Sequence, residues 1–114
     1  MLFRSTSVGG EEMDEFLIRL GNRDDVLLVF DEAYTEYVRD PKFKAAQNFY
    51  SKYSNIIVIK TFSKVYGLAG LRLGAMLAPE FVLELYNRVR NPFNVNELAQ
   101  VAGIAAPLPE CPPI

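Results

Sequence analysis

Apolar and polar positions along the chain form blocks that predict an α/β protein. Four apolar residues recur at helical spacing behind an acidic first turn, which predicts an amphipathic helix over residues 10–20. These residues are Met13, Phe16, Leu17 and Leu20. Two apolar runs without alternation, at 26–30 and 55–60, are typical of parallel strands covered on both faces. The run LGAMLA at 73–78 predicts a third strand.

The segments between and after these strands predict further helices. Asp40 and Pro41 form an N-cap and first-turn pair, followed by apolar residues at helical spacing, so we expect a helix between the first two strands. The residues on that face are Phe43, Ala46, Tyr50 and Tyr53. A strand, helix, strand order makes the two strands parallel through a right-handed crossover. Pro79 opens another helix, whose apolar face carries Val82, Leu85, Tyr86 and Val89.

The number of predicted elements bounds the domain organisation. Three strands are too few for a complete doubly wound sheet, which usually has ~5 or more. We therefore expect residues 11–106 to form part of a larger domain, flanked by residues 1–10 and 107–114. The tail PLPECPPI carries four prolines and cannot continue a helix, so we expect it to be disordered or loosely packed.

Composition excludes several classes of function. The net charge of -2 lacks the basic excess of nucleic-acid-binding proteins, and no apolar run reaches the ~18 residues that cross a membrane. The single cysteine, Cys111, allows no internal disulfide and predicts a reducing compartment, the cytoplasm. The absence of histidine excludes Ser-His-Asp and Cys-His nucleophile systems and histidine-based metal sites, and we predict no metal.

The stretch LLVFDEAY, residues 27–34, ends an apolar run on two acids. Such an ending can hold magnesium in a nucleotide hydrolase, face a pyridine-type cofactor, or cap a buried strand. The hydrolase needs a glycine-rich loop ending in Gly-Lys-Ser or Gly-Lys-Thr, which is absent from the sequence. Gly67, Gly70 and Gly74 do not form the dinucleotide-binding fingerprint either. Both nucleotide hypotheses are therefore disfavoured.

A second stretch, KTFSKVYGLAGLRLG at 60–74, carries candidate cofactor ligands. Lys64 follows a predicted strand, with hydroxyls at Thr61 and Ser63 and a guanidinium at Arg72. Hydroxyls, an arginine and exposed backbone amides are suited to a phosphate. A partly desolvated lysine beside another cation has an amine activated for Schiff-base formation. Asp31 can then face the nitrogen of a pyridine ring and keep it protonated, which makes the ring an electron sink.

Together with Tyr34, these residues resemble fold-type I pyridoxal-phosphate enzymes, and the histidinol-phosphate aminotransferase family in particular. The resemblance spans about residues 11–106 and is carried by FDEAYTEY, TFSKVYGLAGLRLG and RNPFNVNELAQ. It implies part of the large domain of a pyridoxal-phosphate-dependent transferase. That fold is a three-layer α/β sandwich, here with two parallel strands, one antiparallel strand and flanking helices.

The resemblance also implies roles for single residues. Lys64 would form the Schiff base with pyridoxal 5'-phosphate and later move the substrate proton. Asp31 would pair with the pyridinium nitrogen, and Tyr34 would donate a hydrogen bond to the ring phenolate oxygen. The residues implied at the cofactor phosphate are Thr61, Ser63 and Arg72. The family transfers an amino group between histidinol phosphate and 2-oxoglutarate in histidine biosynthesis. Its partners are a small-molecule amino donor, a 2-oxo acid and a second copy in a homodimer.

Two alternatives concern the activity. The cofactor residues do not choose the substrate, so a related phosphate-amino-acid lyase or an aromatic aminotransferase is the next hypothesis. The family's upstream phosphate-cradling turn, its aromatic ring stacked on the cofactor and its downstream carboxylate-binding arginine have no counterpart in this sequence. We therefore expect the isolated 114-residue chain to be catalytically inactive.

Simpler explanations also stay open for the candidate residues. Asp31 and Glu32 can merely cap a strand end, and Tyr34 can pack without a chemical role. If no cofactor binds, Lys64 is a solvated surface lysine and Arg72 can pair with a carboxylate such as Asp31. The neighbouring residues for which we predict no chemistry are Glu32, Glu36 and Tyr37.

Overall fold

The computed structural model describes residues 9–106, in which three strands form one mixed sheet. The strands are β1 (Leu28–Asp31), β2 (Ile56–Thr61) and β3 (Gly74–Leu77), in the spatial order β1-β2-β3. β1 and β2 run parallel, whereas β2 and β3 run antiparallel. The α/β class and the predicted combination of two parallel strands with one antiparallel strand are confirmed.

Three α-helices accompany the sheet in the described residues: α1 (Gly10–Leu20), α2 (Glu80–Val89) and α3 (Glu97–Ala105). α1 has the predicted bounds, and Glu12 accepts a hydrogen bond from the backbone N–H of Gly9 at 3.1 Å. α2 begins after Pro79, as predicted. Residues 91–96 bend the chain between α2 and α3, and Asn96 at the end of this bend caps α3 by accepting from the N–H of Ala99.

The helix predicted between β1 and β2 is wrong. This connection contains two single-turn 3-10 helices, Thr35–Tyr37 and Ala46–Asn48, joined by turns. The Asp40 carboxylate accepts from the N–H of Lys42 at 2.9 Å and forms a local turn instead of capping a longer helix. The second turn is held by the side chain of Glu32, which accepts from the N–H of Ala46, 14 residues later in the chain. Local helix propensity cannot reveal such a contact.

The core lies between α1 and one face of the sheet. Its buried members are Met13, Leu17, Leu28, Ala46, Ile56 and Val58. Burying a leucine such as Leu17 stabilises the fold by ~1.5–3 kcal/mol relative to leaving it exposed. Since side chains alternate along a strand, Leu28 on β1 and Ile56 and Val58 on β2 point toward the same face.

The expectation that both parallel strands are covered on both faces is wrong for their carboxyl ends. In β2, the residues Ile56 to Val58 are buried, but Ile59 is 43% exposed. In β1, only Leu28 is buried, and Asp31 is exposed. The open ends of the strands coincide with the candidate site residues.

Asn55 joins the elements at the opposite, amino end of β2. Its buried side-chain amide donates to the carbonyls of Leu20 at 2.8 Å and Val26 at 3.0 Å, and its oxygen accepts from the N–H of Asn22. The backbone oxygen of Asn55 also accepts from Leu28. One side chain thereby fixes the end of α1 relative to the start of both parallel strands.

Two further features bound the molecule. No helix within residues 9–106 has the length and apolarity needed to cross a membrane. Over the same range, no group of three or more Cys, Asp or Glu side chains is arranged to hold a metal ion. The predicted Pro-rich tail, Cys111 and most of the N-terminal flank lie outside the described residues.

Candidate active site

The candidate residues gather at the edge where the two parallel strands end. β1 ends at Asp31 and β2 ends at Thr61, and the register pairs Asp31 with Ile59. The carboxyl ends of parallel strands lie at the same edge of a sheet, which is where α/β proteins commonly bind ligands. Because side chains alternate, Asp31 and Thr61 project from one face, whereas Glu32 and Lys60 project from the other.

Asp31 begins the turn that leads to Tyr34. Its carboxylate is exposed, and Oδ1 accepts from the N–H of Ala33 at 3.1 Å. Tyr34 is 60% exposed, and its ring lies 6.2 Å from the ring of Tyr37 in a tilted arrangement. Asp31 therefore does cap its strand, as the simpler explanation holds, but Tyr34 is too exposed to be a core residue.

Lys64 lies just beyond the end of β2. Thr61 Oγ1 accepts from the N–H of Ser63 at 3.1 Å, which turns the chain away from the strand. Lys64 Nζ then lies 5.2 Å from the centroid of the Tyr34 ring, a cation–π contact. The structure thus brings together the lysine and the tyrosine that sequence comparison placed in one site.

The loop that carries Lys64 is closed by backbone hydrogen bonds. The N–H of Phe62 donates to the carbonyl of Leu73 at 3.1 Å, and the N–H of Leu68 donates back to Phe62 at 3.0 Å. The N–H of Gly67 donates to the carbonyl of Lys64 at 2.9 Å. Gly67 has a φ of 68°, a conformation that glycine adopts without strain. The loop therefore holds the backbone of Lys64 in one place.

Arg72 directly precedes Leu73, whose carbonyl accepts from the N–H of Phe62, so its backbone lies close to the end of β2. It is exposed, has a φ of 54°, and donates from Nη1 to the carbonyl of Ala69 at 3.0 Å. In the described part of the chain no hydrogen bond or ion pair joins Arg72 to Asp31, so the suggested pairing of these two residues is wrong.

A cluster that sequence reasoning missed lies on the opposite face of the sheet. Lys60 Nζ lies 3.1 Å from Glu36 Oε1 and 3.6 Å from Glu32 Oε2. The three side chains are only 12%, 8% and 6% exposed, in the order Lys60, Glu36 and Glu32. The sequence signal that could have revealed this cluster is the alternation of side chains along a strand. Glu32 and Lys60 lie two residues after Phe30 and Val58, and therefore on the same covered face of the sheet.

Glu32 has a second set of contacts. Its Oε1 accepts from the N–H of Ala46 at 2.5 Å and from the N–H of Gln47 at 3.3 Å. Its Oε2 is buried and has no hydrogen-bond partner; Lys60 is the cation nearest to it in the structure described. Glu32 thereby ties the end of β1 both to β2 and to the connection between them.

A carboxyl group with a shifted pKa also occurs away from the sheet edge, in the connection between α1 and β1. Hydrogen bonds from the Arg23 guanidinium to Asp25, at 2.9 and 2.6 Å, lower the pKa of the Asp25 carboxyl. Both side chains are exposed, so this pair contributes little to stability.

Comparisons with known proteins identify the family of this chain. The model of the family "aminotransferase class I and II" matches residues 14–108. The histidinol-phosphate aminotransferase of Bdellovibrio bacteriovorus is 60% identical over 95 residues, which is 83% of this chain and 26% of that protein. The aromatic amino acid aminotransferase of Corynebacterium jeikeium is 48% identical over 101 residues, 89% of this chain and 26% of that protein.

A solved structure resembles the fold as well. The histidinol-phosphate aminotransferase of Sinorhizobium meliloti, in complex with pyridoxal-5'-phosphate, superposes with a TM-score of 0.73 and 32% identity. The match covers 88% of this chain and 26% of that chain. The chain thus spans about a quarter of the length of the relatives it matches. By both sequence and fold, it belongs to the aminotransferase class I and II family.

Proposed function

We propose that this chain supplies cofactor-binding residues to an aminotransferase that transfers an amino group between histidinol phosphate and 2-oxoglutarate. The observation that carries the proposal is the position of the Lys64 amine over Tyr34, at the edge where Asp31 and Thr61 end neighbouring strands. The 60% identity to a histidinol-phosphate aminotransferase supports the choice of substrate.

The side chains at this edge fit pyridoxal 5'-phosphate in their chemistry. Lys64 is exposed, so the partial desolvation expected for an activated amine is not found in this structure. Its amine makes no ion pair in the described residues and is accessible to an aldehyde. Asp31 offers a carboxylate oxygen to a ring nitrogen, and Tyr34 offers a hydroxyl to a ring oxygen. The hydroxyls of Thr61 and Ser63 and the guanidinium of Arg72 are suited to the phosphate.

The bound cofactor would supply an electron sink for the carbanion formed when a substrate loses its α-proton. The residues of the chain would orient the reaction and move the proton. Lys64 would carry the proton between substrate carbon and cofactor, since a lysine amine beside the substrate is a competent base. Asp31 would keep the ring nitrogen protonated, and Tyr34 would hold the ring oxygen by a hydrogen bond.

The direct test is chemical labelling of the purified 114-residue chain. The chain is incubated with pyridoxal phosphate, reduced with borohydride, and the modified peptide is mapped. We expect weak but selective labelling of Lys64 among the five lysines, and its loss in Lys64→Ala. Lys52 offers a matched control, because its Nζ also lies over a tyrosine ring, 5.4 Å from the centroid of Tyr53. Labelling spread evenly over the lysines would remove the support for a cofactor site.

Lack of labelling would favour the alternative of an inactive isolated chain, and a chimera tests that case. Residues 14–108 replace the matching residues of the Bdellovibrio bacteriovorus relative, and transamination of histidinol phosphate is measured. We expect activity with Lys64 present and none in Lys64→Ala. An inactive but folded chimera would contradict the proposed cofactor role.

An aromatic aminotransferase is the second candidate, because the Corynebacterium jeikeium relative is 48% identical over 89% of the chain. The same segment grafted into both relatives separates the two candidates. A rise in the preference for histidinol phosphate over phenylalanine in both hosts supports the first proposal. A fall in both hosts supports the second.

The remaining proposals concern organisation. We propose that residues 11–106 are part of a cofactor-binding domain and that the small-molecule partners are an amino donor and a 2-oxo acid. Pairing with a second copy and residence in the cytoplasm stay predictions. Analytical ultracentrifugation of the chain tests the former.

A further inference from the structure

Three charged side chains lie on the covered face beneath the candidate site. Lys60 contacts both Glu36 and Glu32, and none of the three side chains is more than 12% exposed. Two carboxylates around one ammonium leave this buried group with an excess negative charge. Because charges removed from water require close and well-oriented partners, such a cluster favours one arrangement of its residues.

The two carboxylates come from the same short segment of chain. Glu32 directly follows β1, and Glu36 lies in the single-turn helix Thr35–Tyr37. Tyr34 is the N-cap residue of that helix, midway between the two acids. The single ammonium of Lys60, on the neighbouring strand, therefore anchors the segment on both sides of Tyr34.

Tyr34 itself has little else to hold it. Tyr34 is 60% exposed, and its described ring contacts are Tyr37 and the Lys64 ammonium. An exposed ring without a packed cavity takes its position from the backbone beneath it. The backbone beneath Tyr34 belongs to residues 32–36, which Lys60 anchors through Glu32 and Glu36.

We propose that Lys60, Glu32 and Glu36 are positioning residues that hold Tyr34 against Lys64 from the opposite face of the sheet. Such an arrangement would align the tyrosine hydroxyl and the lysine amine on one cofactor, and this part of the inference rests on the proposed function. The arrangement itself does not require a cofactor and can be measured without one.

The test is the proximity of Tyr34 and Lys64 in solution. In the 114-residue chain with isotopically labelled lysine and tyrosine, nuclear Overhauser contacts are recorded between the Tyr34 ring protons and the Lys64 side-chain methylene protons. Glu36→Leu removes the acceptor for Lys60, whereas Glu36→Gln keeps an oxygen there. We expect the contact to be lost in the leucine variant and restored in the glutamine variant.

A second ion pair provides the matched control. Lys44 pairs with Asp14 on α1, away from the segment that carries Tyr34. Asp14→Leu removes a partly exposed carboxylate from a lysine pair, and the Tyr34–Lys64 contact should persist. A cluster that only stabilises the fold would give the same contact in all folded variants, with differences confined to the melting temperature.

If Glu36→Leu does not fold, another variant still tests the proposal. The triple variant Lys60→Met, Glu36→Leu and Glu32→Gln removes all three charges of the cluster, an exchange that buried ion pairs often tolerate, and the glutamine keeps an oxygen for the N–H of Ala46. We expect this variant to lose the contact as well. A contact of wild-type intensity in either folded variant would overturn the proposal. Labelling of Lys64 by pyridoxal phosphate reports separately on the proposed function, so the two can fail independently.

Discussion

Helix α1 buries its apolar face, whereas helices α2 and α3 leave most of theirs exposed. Met13 and Leu17 of α1 pack on the parallel strands. α2 has no buried residue within the structure described, and α3 turns its small residues inward. Ala99 is buried, and a side chain at Gly103 would meet Leu73 at 2.6 Å. The large residues of α3 face outward, and they are Leu98, Val101 and Ile104.

This difference separates the part of the chain that builds the core from the part that does not. The candidate residues Asp31 and Lys64 belong to the packed part, since Asp31 ends β1 and Lys64 lies three residues beyond the end of β2. Their backbone positions therefore depend on α1, the two parallel strands and their connections. Changes in α2 and on the outer face of α3 should leave the sheet edge nearly unaffected, whereas the inner face of α3 contacts Leu73, whose carbonyl helps to close the loop that carries Lys64.

The largest expected effect is in the core. Leu17→Ala should lower the free energy of unfolding by about 2–5 kcal/mol, because a fully buried leucine leaves a cavity. Urea titration followed by circular dichroism measures the change. Leu98→Ala in α3 is the matched control, and at 72% exposure it should change stability by less than about 0.5 kcal/mol. Equal losses in the two variants would contradict the division into packed and open parts.

Asn55 gives the next largest effect. Asn55→Ala removes the partner of the partly buried carbonyls of Leu20 and Val26, which should cost about 1–3 kcal/mol. Asn48 is exposed and ends a single-turn helix, so Asn48→Ala should change stability little. A melting temperature for Asn55→Ala equal to that of Asn48→Ala would show that this side chain does not tie α1 to the sheet.

Asn55 and the Lys60 cluster also show which features could not be predicted from the sequence. Periodicity predicted α1 and the sheet strands, because those patterns reflect neighbours on one element. Family resemblance placed Lys64 near Tyr34. The helix expected after Asp40 was wrong because a remote carboxylate, on Glu32, takes up the backbone N–H of Ala46. Contacts between residues distant in sequence require the fold to be known first.

A smaller effect is expected at the start of α3. Asn96→Ala removes the side-chain oxygen that accepts from the N–H of Ala99, and the loss of such a cap costs about 1 kcal/mol. Hydrogen exchange should speed up in the first turn of α3, and the amides of β2 should keep their protection. Asn96→Ser keeps a capping oxygen and should restore slow exchange. Faster exchange throughout β2 would mean that α3 supports the core after all.

Substitutions on the outer face of α3 should have the smallest effect on stability but a clear effect on the binding of hydrophobic dyes. Ile104 is 87% exposed and Val101 is 62% exposed on the same helix. A contiguous apolar surface of this kind binds hydrophobic dyes such as anilinonaphthalene sulfonate. Val101→Ser with Ile104→Ser should therefore reduce dye fluorescence while changing the melting temperature little. Ile18 on α1 is 79% exposed, but its helix has a covered apolar face, so Ile18→Ser should reduce the fluorescence less. A larger reduction from Ile18→Ser would place the open apolar surface on α1 and reverse the comparison between the two parts of the chain.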